Sequence, residues 1–140
     1  MSFNVLVLEG LLWTCPQIRT FWISIQEEIF KLTGTKIPLN PLYYVLGADI
    51  NIALLKGNQQ LLRVLLYAAR LSVLSKWIED SPPDILLWLG KVMGLVPLER
   101  LSCVLQGTLA EFVETWRPLA PSMGDEWFRV LCIGVTENNS

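Results

Sequence analysis

The sequence predicts an all-α fold of about five helices in one compact domain, with an irregular C-terminal tail. Three observations carry this expectation. Apolar residues recur at three- and four-residue steps through two long stretches. Gly and Pro stand between the stretches, where helices stop and restart. Hydrophobic residues fill 52% of the 140 positions against 17% charged, which supplies a core and argues against disorder. On this reading residues 1–10 are an N-terminal extension, 11–118 the helical domain and 119–140 the tail.

The first helix is expected from Pro16 to Gly34, where Ile18, Trp22, Ile25, Ile29 and Leu32 share one face. Thr14 or Cys15 suits its cap, Pro16 its first turn and Gly34 its exit. Pro38 and Pro41 then remove amide donors, so "TKIPLNPLYYVLGADIN" reads as an extended connector with a short aromatic turn at Tyr43 and Tyr44. A second long helix is expected from about Asn58 to Lys76 or Trp77, with Leu61, Leu65, Ala68, Leu71 or Ser72, and Leu74 turned inward.

"SPPD" at 81–84 reads as a stop and restart, Ser81 capping a third helix that reaches about Met93 and Asp84 favouring its dipole. A fourth is expected from Pro97 to Gln106, ending at Gly107, and Gly90 with Gly94 reads as a place where helices approach or end. "TLAE" at 108–111 has the form of a capping box and starts a fifth, which reaches Trp116 before Pro118. In the tail, "WFRVLCIGV" fits a strand or a short helix equally well, and Trp127 and Phe128 are its candidates for packing back. The tryptophans Trp13, Trp22, Trp77, Trp88 and Trp116 are most simply core residues.

Eleven basic and thirteen acidic residues leave a net charge of -2, whereas autonomous nucleic-acid binders normally carry a basic excess. The distribution is uneven: residues 50–78 hold Lys56, Arg63, Arg70 and Lys76 and no acid. A mean hydropathy of +0.43 suggests a surface that rests against something. Three cysteines without framework spacing and a poor signal peptide predict an intracellular chain, cytoplasmic or nuclear. The most apolar stretch, "LLRVLLYAARLSVL", is too short and too charged to cross a bilayer, and no helix combines the faces of an interfacial binder, so a membrane role is not expected.

The markers "LLWTCP" with Trp22 after it, "IPLNP" leading to "VLG", "AAR" followed by Trp77, "SPPD" followed by Trp88, and Glu99, Gly107, Phe112 and "TWRP" occur in that order over residues 11–118. Together they resemble the carboxy-terminal segment of the second open-reading-frame protein of vertebrate LINE-type, non-LTR retrotransposons. The resemblance implies a mostly helical segment that follows a reverse transcriptase and contacts RNA. The family usually carries a Cys, Cys, His, Cys cluster with the histidine five positions before the last cysteine. Here Cys15 matches that last cysteine, Gly10 stands five positions earlier, and the chain has no histidine. One cysteine cannot complete a four-ligand zinc site, so neither metal nor cofactor is expected. As a nucleophile Cys15 lacks a histidine partner and has only Arg19 one turn along, so it reads as a packing residue.

The acidic pairs Glu27 with Glu28, Glu79 with Asp80 and Asp125 with Glu126 are sequence neighbours that do not face each other on a helix, and read as solvated surface. No phosphate loop is present, and the chain is read as a non-enzymatic module with no small-molecule substrate. Two binding readings stay open. The first is RNA, at Lys56, Arg63, Tyr67, Arg70 and Lys76, because Arg63, Tyr67 and Arg70 share a helical face on which cations hold phosphate and a ring stacks a base. The bland alternative for these residues is a solvated face, since a few charges in a net-acidic protein hold phosphate weakly at physiological salt. The second is a protein partner or self-association, suggested by low charge and six tryptophans.

Overall fold

The computed structural model describes residues 10–48, 59–77 and 81–133, and these are mostly helical, without a strand among them. A π-helical turn at Gly10–Thr14 leads into α1 (Pro16–Thr33). Then come α2 (Pro41–Tyr44), α3 (Gln59–Trp77), α4 (Ile85–Gln106), α5 (Leu109–Trp116), a 3-10 turn at Arg117–Leu119, α6 (Ala120–Met123) and α7 (Asp125–Leu131). The expected all-α class is what the described residues adopt, and the tail stretch that fitted strand or helix equally is helical through Leu131, in α7, its last two residues lying outside the described ones. The chain forms two compact units, residues 1–93 and 94–140.

In the first unit α1 starts as its sequence dictates, with Pro16 in the first turn. Cys15 holds the cap position in extended conformation without a side-chain cap bond. It is half-buried. Gly34 ends the helix in the left-handed region, φ 74°, which lets its amide close back on the Phe30 carbonyl at 2.8 Å. Ile18, Trp22, Ile25 and Ile29 are buried as the spacing requires, and Leu32 is half-buried.

Three aromatic rings gather at the start of this unit. Tyr44 lies 5.7 Å from Trp13 and, edge-on, 5.6 Å from Trp22 between ring centroids. Trp22, Tyr44 and the neighbouring Gln26 all donate to backbone carbonyls. Trp22 Nε1 donates to the Leu12 carbonyl at 2.6 Å, while Gln26 Nε2 at 2.7 Å and the Tyr44 hydroxyl at 3.0 Å both donate to the carbonyl of buried Ile37. Burial pushes the Tyr44 hydroxyl well above its ordinary pKa, so it remains a donor through the neutral range. Trp88 packs from α4 and donates to the Leu65 carbonyl of α3 at 2.9 Å.

Several expectations are corrected here. Leu61, Leu65, Ala68 and Ser72 face inward on α3, but Leu74 is 53% exposed. At about 100° per residue, the three-residue step from Leu71 to Leu74 drifts off the buried stripe. Trp77, the last residue of α3, is 47% exposed, so four of the five marker tryptophans are core and this one is not. Ser81 does not cap the next helix. Asp84 does, its Oδ1 accepting from the Leu87 amide at 2.8 Å, because the preceding prolines keep the chain extended until Ile85.

The expected helices ending at Met93 and starting at Pro97 are one helix, α4, with Pro97 inside it. A proline there forfeits the bond to the Met93 carbonyl and costs about 3 kcal/mol, which lowers a helix's stability without ending it. Gly90 and Gly94 are neither ends nor close-approach points: a Cβ added at either would meet nothing within 4 Å.

In the second unit Val96, Phe112, Val113, Trp116, Leu119 and Leu131 are buried, with Phe112 and Trp116 ring centroids 6.1 Å apart. The anticipated capping box at Thr108 does not form. The Thr108 hydroxyl approaches the Cys103 carbonyl at 3.5 Å instead, and Thr108 makes no side-chain cap bond. Trp127 and Phe128 are half-buried, and the Arg117 guanidinium sits 5.2 Å from the Phe128 ring centroid. Among the described residues no helix is long and apolar enough to cross a membrane.

Candidate nucleic-acid interface on the third helix

The site is built on α3, whose opposite face is core. Steps of four and three residues bring Arg63, Tyr67 and Arg70 within about 60° of one another around the helix axis. Arg63 and Tyr67 are exposed, and Arg70 is half-buried. The Arg70 guanidinium lies over the Tyr67 ring, 5.7 Å from its centroid, a distance at which the ring face attracts the cation.

The turn that follows α2 forms the other wall. Asn40 caps α2 by accepting from the Leu42 amide at 2.9 Å, which sends Tyr44 into the core and leaves Tyr43 on the side facing α3. Gly47 closes the turn at φ 71°. This glycine has two reasons to be there: the left-handed backbone, and the Arg70 guanidinium, whose Cζ would lie 3.1 Å from a Cβ at position 47. Arg70 Nη1 reaches the Tyr43 carbonyl at 3.5 Å. Burial pushes the Arg70 pKa down from its ordinary value while Tyr67 pushes the other way, and the group stays cationic at neutral pH.

Tyr43, Gly47, Gln59, Leu62, Arg63 and Arg70 thus line one narrow cleft of about 50 Å³. Arg63 and Arg70 are brought together here, with Tyr67 alongside. Lys76 is not. It lies some 220° around α3 from Arg63, and lines a separate hollow with Cys15, Ile18, Trp77 and Pro83. Lys56 lies outside the described residues. Sequence periodicity missed Tyr43 and Gly47, since their approach to Arg70 is a tertiary contact, and it missed Gln59 at the start of α3; a glycine closely following the "PLYY" turn was the one local signal.

Among the described residues no group of three His, Cys, Asp or Glu side chains is placed to hold a metal ion. Cys15, Cys103 and Cys132 are each half-buried and form no disulfide. No family model, curated protein or solved structure matches the chain.

Proposed function

We propose that this chain is a non-enzymatic binding module, related to the carboxy-terminal segment of LINE-type reverse transcriptase proteins, that holds single-stranded RNA weakly through α3. The observation that supports this reading is the placement of Arg63, Tyr67 and Arg70 on one side of the helix, two cations flanking a half-exposed ring, in a segment whose described residues include no acid. Cations of this kind track a phosphate backbone and a tyrosine offers a stacking platform indifferent to base identity. With so few charges, affinity is low at physiological salt and rises as salt falls. The test is anisotropy of a fluorescent single-stranded RNA with the purified chain, together with its absorbance ratio before and after nuclease. Binding at about 50 mM salt that fades toward about 200 mM supports the reading; none at about 50 mM removes it.

A second reading, a protein-interaction module, is favoured by a different observation. On α4, Leu98, Leu101 and Leu105 recur at helical steps in the second unit and are 64%, 56% and 78% exposed. Apolar side chains clustered on one exposed helix face mark contact surfaces. Light scattering across a dilution series tests the self-associating form of this reading, and a constant monomer mass counts against it.

A further inference from the structure

We infer that the exposed face of α4 in the second unit pairs with the same face of a second copy of the chain, the two helices running antiparallel about a two-fold axis between Leu98 and Leu101. This rests on the protein-interaction reading and names its partner. Spacing, charge and shape lead there.

Gly94, Leu98, Leu101 and Leu105 follow one another at steps of four, three and four residues, the repeat that keeps a seam of one helix turned toward another. At about 100° per residue all four share a sector of about 60°. Buried Val96, which marks the core side of this part of α4, lies about 170° from the middle of that sector. The three leucines are therefore exposed because the unit's own core is behind them.

A two-fold contact presents one patch to its own copy, so a charge within the patch meets its own sign. Between Gly94 and Gln106 the charged residues are Glu99 and Arg100, and each lies about 130° from the middle of the seam, on opposite sides. Pro97 and Val104 border the seam on one side and Ser102 on the other. The face thus accepts its copy without like-charge repulsion. A highly charged partner would find no counter-charge in it.

Shape sets the direction. In the antiparallel register Leu98 stands opposite the partner's Leu101, and Leu105 opposite the partner's Gly94. A Cβ added at Gly94 would meet nothing within 4 Å, so the glycine leaves a hollow on the helix surface. Leu105, the most exposed of the three leucines, supplies the side chain that fills it. One face carries both knob and hole, and two-fold symmetry uses each of them twice. The parallel register would set glycine against glycine, and the atoms lining that gap would lose their contacts. Four positions make a short seam, which belongs with the small, transient interfaces.

The experiment follows the mass of the full chain by light scattering over a dilution series. The expected result is a rise from one copy toward two, and no further, as concentration increases. Leu101→Gln should weaken pairing about tenfold or more, since the symmetric contact loses the leucine twice. Gly94→Leu should weaken it as well by filling the hollow. The same substitution should leave the urea midpoint unchanged or higher, because leucine favours helix over glycine and the added side chain starts in open space. Adding Leu105→Ala to Gly94→Leu exchanges knob and hole and should recover most of the pairing. Circular dichroism should show parental helicity in each variant, none of these positions being core.

A constant monomer mass overturns the self-pairing, and so does association that Leu101→Gln leaves unchanged or that grows beyond two copies. Pairing weakened by Gly94→Leu and not recovered by the exchange overturns the antiparallel register. A monomeric chain that retains a protein from cell lysate, where the variant with Leu98, Leu101 and Leu105 replaced by glutamine does not, keeps the interaction reading and overturns the second copy. Equal retention by the two overturns both.

Discussion

Gly47 and Arg70 meet across the turn and the third helix: the glycine holds φ 71°, and the guanidinium carbon lies 3.1 Å from where a Cβ at this position would stand. The contact links a local requirement, a backbone region that L side chains avoid, to a tertiary one. It therefore predicts a double effect of a single methyl group. Gly47→Ala should lose about 1–2 kcal/mol of stability from the strained backbone and shift the Arg70 side chain as well. Urea unfolding measures the first, and the Arg70 Nε–Hε signal the second. A variant as stable as the parent, with that signal unmoved, would contradict the contact.

Tyr44 predicts a pH dependence. Its hydroxyl is buried against the Ile37 carbonyl and its folded pKa is raised above the ordinary 10.0 of the unfolded chain. Between those values the unfolded state loses a proton that the folded state keeps, so stability present below pH 10 falls as pH rises past it. Urea midpoints at about pH 8 and about pH 11 should show the fall, and Tyr44→Phe should flatten it while costing about 1 kcal/mol at neutral pH for the lost hydrogen bond.

Pro97 predicts a gain. It sits in the interior of α4 without an amide to offer the Met93 carbonyl, and its side chain is exposed. Pro97→Ala restores the donor and removes the ring, and should raise stability by about 1–3 kcal/mol, seen as a higher urea midpoint. An unchanged or lower midpoint would mean that the proline ring contributes packing that its exposure conceals.

The exposed leucines of α4 predict a separation of stability from association. Replacing Leu98, Leu101 and Leu105 together with glutamine should change unfolding free energy little, within about 0.5 kcal/mol per site, because none is core. If the face is a contact surface, the same variant should reduce any mass increase seen by light scattering at high concentration. Loss of folding would show the residues to be structural.

The helical class was legible because apolar steps of three and four residues survive in any environment that buries one face. Ile18, Trp22, Ile25 and Ile29 needed nothing more. What escaped the sequence were choices settled by competition. Asp84 outbid Ser81 as a cap because two prolines intervene, and the Thr108 amide, which a capping box would give to the Glu111 carboxylate, donates to the Cys103 carbonyl at 2.8 Å. Pro97 looked like a boundary, yet a helix that loses one bond can continue through it. At the site, spacing alone gave Arg63, Tyr67 and Arg70 a common side. Local periodicity carries no information about the Tyr43 carbonyl and Gly47, which lie across the cleft, or about the half-buried setting they give Arg70.

The central claim, that α3 holds RNA through its arginines, is tested most directly by the salt dependence of binding. Log affinity for single-stranded RNA should fall linearly with log salt, and removing one participating charge with Arg63→Gln should lower the slope by about 0.7. Arg63→Glu combined with Arg70→Glu, with helicity checked by circular dichroism, should abolish retention. Wild-type affinity and slope in that folded double variant would place any RNA contact elsewhere and contradict the account.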